Sequence, residues 1–128
     1  ARIICEGRDL PMTTDKRVRE QNYGIYEGAS RFDEGFLANK RSFAVHYPGG
    51  ESQMSTARRV YEFLEDTARK YPDENVLVVC HGGICRVIES YFHDMTNEEF
   101  ARFGVKNCAF HGQSAGVFEA AGYPQGAV

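Results

Sequence analysis

Val76-Leu77-Val78-Val79-Cys80-His81-Gly82-Gly83-Ile84-Cys85-Arg86-Val87-Ile88 is the stretch on which the reading of this chain turns. Its first five residues are apolar and rich in valine, the composition of a strand buried on both faces. The run stops at His81-Gly82-Gly83, where glycine permits a tight turn and a close backbone approach. Beyond it, Ile84, Val87, Ile88, Tyr91 and Phe92 recur at the spacing of an amphipathic helix. The stretch therefore predicts strand, glycine turn and helix, with a histidine where the strand ends. In open α/β sheets, ligands bind past the carboxyl ends of the strands. A helix N-terminus there offers unpaired N–H groups and partial positive charge to an anion such as phosphate. The plain alternative is a buried βα unit in which His81 only caps the turn.

Outward from this unit, residues 51–71 predict a long helix with Met54, Ala57, Tyr61, Leu64, Ala68 and Tyr71 on its inner stripe. Pro72-Asp73-Glu74-Asn75 ends it and leads into the strand. Residues 31–40 predict a short helix with Ser30 as N-cap and Phe32, Phe36 and Leu37 facing inward. His46-Tyr47-Pro48-Gly49-Gly50 is a loop, with His46 solvated. Thr96-Asn97-Glu98-Glu99 is a capping box for a helix through Phe103. Two short strands are expected at residues 107–110 and 115–119, and a frayed tail at residues 122–128. Ala1 to Gly7 resembles the last turns of a helix with a glycine stop. Alternation of helix and strand gives an α/β class.

Residues 16–28 fit no period. They combine two glycines, two tyrosines and two glutamates, the composition of a site loop. Glu20, if partly buried, could serve as a general acid; the bland reading is a surface pair with Arg17 or Arg19. The 128 residues suit one domain, and 42% hydrophobic with 26% charged content is ordinary for a globular protein. A net charge of −3 without a basic block argues against a general nucleic-acid or anionic-membrane surface. No apolar run reaches the roughly 18 residues of a membrane helix, and no signal-peptide pattern is present. Cys5, Cys80, Cys85 and Cys108 form no CxxC pair and read as reduced thiols of a cytoplasmic protein. Zinc on Cys80, His81 and Cys85 has the wrong ligand spacing.

Three segments together resemble one family. Arg17-Val18-Arg19-Glu20-Gln21-Asn22-Tyr23-Gly24-Ile25-Tyr26-Glu27-Gly28 is similar to its "LrE…fG.wEG" segment. Pro48-Gly49-Gly50-Glu51-Ser52 is similar to its "P.GES" loop, and residues 76–86 to its "vlvVsHGG.ir" strand and turn. The family is the histidine phosphatases, or phosphoglycerate-mutase-like enzymes, and order and spacing match over about residues 1–119. The resemblance implies a three-layer fold with a mostly parallel sheet and helices on both faces. It implies a phosphohistidine intermediate, with His81 binding the phosphoryl group beside Gly82 and Glu20 protonating the leaving oxygen. It implies no cofactor and no metal. The expected partner is a small phosphorylated substrate, with neither nucleic acid nor membrane; a homodimer stays open.

The nucleophilic histidine of the family's Arg-His-Gly motif has no counterpart here, nor has its Ser-x-x-x-Arg-Ala segment. The chain is therefore expected to be a single partial domain, residues 1–128. It would form the C-terminal two-thirds of a histidine phosphatase domain without its first strand or strands, and be inactive alone. The short interval between Gly28 and Pro48 favours a phosphatase of small phosphomonoesters over a phosphoglycerate mutase. A non-catalytic phosphate-binding or interaction domain is one alternative. Another is a cysteine-dependent phosphatase, because Cys80 and Arg86 stand in a Cys-x5-Arg arrangement.

Overall fold

A computed structural model describes residues 1–106 and Gly112. In chain order it contains α1 (Arg2–Cys5), 3₁₀ turns at Lys16–Val18 and Gly24–Tyr26, α2 (Glu34–Lys40), α3 (Gln53–Lys70), α4 (Gly82–Phe92) and α5 (Asn97–Arg102). The longer helices begin where local chemistry satisfies their free N–H groups. Ser52 and Ser55 form a reciprocal capping box at α3, and Thr96 and Glu99 form one at α5. Asp33, not Ser30, caps α2 by accepting from the Phe36 N–H at 2.9 Å. The expected strands at residues 107–110 and 115–119 and the tail at residues 122–128 lie outside the described residues.

The sheet is the main correction. Every regular element among the described residues is helical, and residues 76–80 form no strand. The α/β class with a mostly parallel sheet is therefore not what this structure shows. The apolar run reports the environment the segment suits, whereas a strand exists only through ladder bonds to a neighbour. With no such neighbour among the described residues, Val76, Leu77 and Val79 stay 46%, 54% and 51% exposed.

The core is a helix pair. Val60 and Leu64 of α3 pack against Ile84 and Val87 of α4, and Phe100 of α5 closes the cluster. The buried line of α3 runs through Gln53, Thr56, Val60 and Leu64, one position away from the expected start at Met54, which is 61% exposed. Thr56 lies inward because its hydroxyl donates to the Ser52 carbonyl at 3.1 Å, which satisfies a polar group without water. Phe32 is exposed, contrary to expectation, while Phe36 stacks on the buried Tyr47 at 5.6 Å between ring centroids. The turn at Lys16–Val18 also packs on α3, which brings the irregular loop behind it onto the same scaffold. No helix among the described residues is long and apolar enough to cross a membrane.

Candidate functional site

Residues 16–28 carry the first half of the site, and α3 holds them. The Arg59 guanidinium donates to the carbonyls of Arg17 at 2.5 Å, Arg19 at 2.9 Å and Glu20 at 3.3 Å. It also pairs with both oxygens of Glu51 at 2.9 Å. Glu51 in turn accepts the Asn22 N–H at 2.9 Å. The bonds thus lie on both sides of Glu20. Burial opposes the Glu51 charge, but Arg59, the Asn22 N–H and Arg19 together hold its carboxyl below the usual range.

The loop at residues 47–51 locks the same segment by backbone bonds. The Ile25 N–H donates to the Pro48 carbonyl at 3.0 Å, and the Glu51 N–H to the Asn22 carbonyl at 2.8 Å. Gly24 takes φ +57°, and a Cβ there would lie 2.0 Å from the Pro48 oxygen, so both backbone angle and space require glycine.

The second half is the N-terminus of α4. His81 is its N-cap residue, and its side chain makes no capping bond. The residue is exposed, and its carbonyl accepts the Cys85 N–H at 2.9 Å. Gly82, the first helical residue, is exposed, and a Cβ on it would meet nothing within 4 Å. That side of the helix end is open to a ligand. Gly83 is different. Its N–H donates to Glu20 Oε2 at 3.4 Å, and a Cβ on it would lie 2.5 Å from Glu20 Oε1 and 2.7 Å from Tyr23 Oη. Glu20 is half-buried and also accepts the Gln21 N–H at 2.9 Å. The structure therefore brings Glu20 across 63 residues to the helix end that His81 caps. A carboxylate is favoured at such an end for the same reason a phosphate would be. An oxygen donor or acceptor thus stands beside an anion-binding N-terminus.

Beneath Glu20 lies an aromatic group that the sequence did not single out. Tyr23 meets Tyr47 edge-on at 5.2 Å and Phe36 at 5.4 Å. Burial, with the Glu20 charge adding, pushes the Tyr23 phenol up to about 12, so it stays a protonated hydrogen-bond donor at neutral pH. Arg86 projects into the interior from α4, only 4% exposed, with its guanidinium 4.9 Å over the Phe100 ring. Burial pushes its pKa down, while the Tyr23 and Tyr47 phenols and the Glu20 carboxylate oppose that shift. Its Nε has no hydrogen-bond partner among the described residues.

This geometry disfavours the cysteine-phosphatase alternative. That chemistry needs a thiolate at Cys80 and an arginine turned to the phosphate. Burial and the neighbouring Cys85 push the Cys80 thiol up to about 12, and Arg86 is buried over the Phe100 ring. Nor does any group of three His, Cys, Asp or Glu gather as a metal site among the described residues. Arg59 and Glu51 are the loop-holding pair that pattern reading missed. A polar residue at position 59 reads as solvated face, and nothing in helix periodicity reveals a guanidinium that reaches back to three loop carbonyls.

Comparison with known proteins closes the question of kinship. The family model of the histidine phosphatase superfamily (branch 1) matches residues 1–113. A 2,3-bisphosphoglycerate-dependent phosphoglycerate mutase of Cytophaga hutchinsonii is 27% identical over 104 residues, covering 74% of this chain and 49% of the mutase. The enzyme of that name from a Methylobacterium species is 33% identical over 99 residues, 70% of this chain and 48% of the relative. A 6-phosphofructo-2-kinase/fructose-2,6-bisphosphatase of Gallus gallus is 30% identical over 102 residues, 74% of this chain and 21% of that protein. The chain spans about half the length of the two mutases. With 113 of its 128 residues matched, the chain belongs to the histidine phosphatase superfamily.

Proposed function

We propose that the complete protein containing these residues is a phosphoryl-transfer enzyme, a phosphatase of small phosphomonoesters that works through a phosphohistidine. The observation that carries this is the Glu20 carboxylate at the Gly83 N–H, two residues beyond His81. The nucleophilic histidine lies outside these 128 residues in this reading, which makes them the C-terminal part of the catalytic domain. That histidine attacks phosphorus, the ester P–O bond breaks, and Glu20 gives its proton to the departing oxygen. Water then attacks the phosphohistidine, returns a proton to Glu20 and releases phosphate. His81 and the Gly82 N–H bear the charge on the transferring group. Having given up its proton, the Glu20 carboxylate beside the α4 N-terminus is the base of that second step.

A mutase reading draws support from the names of the two half-length relatives. The short interval between Gly28 and Pro48 supports the hydrolase instead, since only nineteen residues there, α2 included, could cover a substrate.

The test is a pair of substitutions in the complete enzyme. His81→Ala should cost on the order of a hundredfold or more in kcat, as does removal of one preorganised charge-stabilising donor. Cys80→Ser should leave most activity. Loss of turnover in Cys80→Ser with a mild His81→Ala would replace the histidine mechanism by the cysteine one.

A further inference from the structure

We propose that Cys80 and Cys85 are a redox modification site: they close into a reversible disulfide that ties the end of residues 76–80 to the first turn of α4 and thereby disarms the His81 turn. The two sulfurs lie 3.6 Å apart, already in contact, and both cysteines are free and half-buried. A disulfide needs about 2.05 Å, so side-chain rotation with a small backbone shift suffices. Cys85 is fixed, because its N–H is bonded within the turn to the His81 carbonyl. Residues 76–80 have no ladder bonds among the described residues, so Cys80 is the partner that moves.

The oxidant required is a peroxide. The Cys85 sulfur attacks one peroxide oxygen, the O–O bond breaks, and the leaving hydroxide takes the Cys85 proton to become water. The resulting sulfenic acid is attacked by the Cys80 sulfur, the S–O bond breaks, and a second water leaves with the Cys80 proton. Two thiols and one hydrogen peroxide thus give one disulfide and two waters. Burial pushes the Cys80 thiol up to about 12, which makes it the poorer first nucleophile toward peroxide.

The ring so formed contains His81, Gly82 and Gly83, including the N–H that meets Glu20. Drawing Cys80 onto the helix displaces His81 from its N-cap position. The effect on turnover rests on the role proposed for His81; formation of the bond does not.

The experiment treats the complete protein with hydrogen peroxide, blocks free thiols by alkylation and digests with trypsin. Cleavage after Lys70 and Arg86 gives one peptide, residues 71–86, that holds both cysteines. The peptide should be about 2 Da lighter than its reduced form, carry no alkyl group, and regain both alkylation sites after dithiothreitol. Hydrolysis of a phosphomonoester should fall about tenfold or more and recover with the reductant. Cys85→Ser and, independently, Cys80→Ser should each keep their activity in peroxide. A peptide that stays alkylatable, carries sulfinic acid, or is joined to a peptide bearing Cys5 or Cys108 overturns the proposal. So does a clean internal disulfide with undiminished turnover. The mass readout stands even where the protein proves to hydrolyse no phosphomonoester.

Discussion

The segment that carries Glu20 and the segment that ends at His81 meet at one point, yet they are held in opposite ways. Residues 17–25 have almost no regular structure, but their backbone is tied at nearly every step. Arg59 takes three carbonyls, Glu51 takes the Asn22 N–H, and the loop at residues 47–51 takes two further positions. Residues 76–80 have the composition of a buried strand and none of those ties among the described residues, and three of their apolar side chains are about half exposed. The difference teaches where order comes from. A polar loop is ordered when each buried peptide group has a partner. An apolar run is ordered only when another surface covers it.

Three substitutions would break or sharpen this contrast, each measured by chemical denaturation of the 128-residue chain. Arg59→Met keeps most of the stem but removes every donor to the loop and leaves Glu51 to Asn22 and Arg19. It should cost about 2–3 kcal/mol, the lower part of the range for breaking a buried pair, because both partners keep some exposure. A loss under about 0.5 kcal/mol, the surface-substitution scale, would remove Arg59 as the clamp. Gly24→Ala should cost about 2 kcal/mol from its positive φ and the collision with Pro48. A neutral Gly24→Ala would mean that the two loops are not zipped together as described. Leu77→Ser should change stability by less than about 0.5 kcal/mol, as at other exposed positions. A Leu77→Ser loss above about 2 kcal/mol, the core-truncation scale, would show the segment packed and erase the contrast.

The helices were legible because their signals are local. Ser52 and Thr96 announce the starts of α3 and α5, and Ile84 and Val87 sit on the inner face of α4 as their spacing requires. The strand was misread because residues 76–80 state a preference for burial and say nothing of a neighbour. The start of the α3 stripe was misplaced because Met54 is apolar and Gln53 is not. Burial there follows the geometry of the capped helix end more than side-chain polarity. Glu20 beside the α4 terminus was readable through family resemblance; the residues alone favoured a surface pair with Arg17 or Arg19. Arg17 in fact pairs with Asp15 and Asp66, which leaves Glu20 free for Gly83. Arg86 was read as the phosphate clamp of the cysteine alternative, whereas the structure buries it over the Phe100 ring, and the burial of Tyr23 was missed because a tyrosine in an irregular loop has commoner readings.

The central claim is that Glu20 hands a proton to the departing oxygen, and leaving-group dependence tests it most directly. An alkyl alcohol departs poorly without that proton, whereas a nitrophenolate needs little help. Glu20→Gln keeps the size of the side chain and its bonding reach, so a general folding defect would affect both substrates alike. The measurement is kcat/KM of the complete enzyme and its Glu20→Gln variant on one alkyl and one aryl phosphate. The account predicts a loss of roughly 10²–10⁴ on the alkyl ester and a far smaller one on the aryl ester. Equal losses on the two would contradict it and return Glu20 to a purely structural part at the N-terminus of α4.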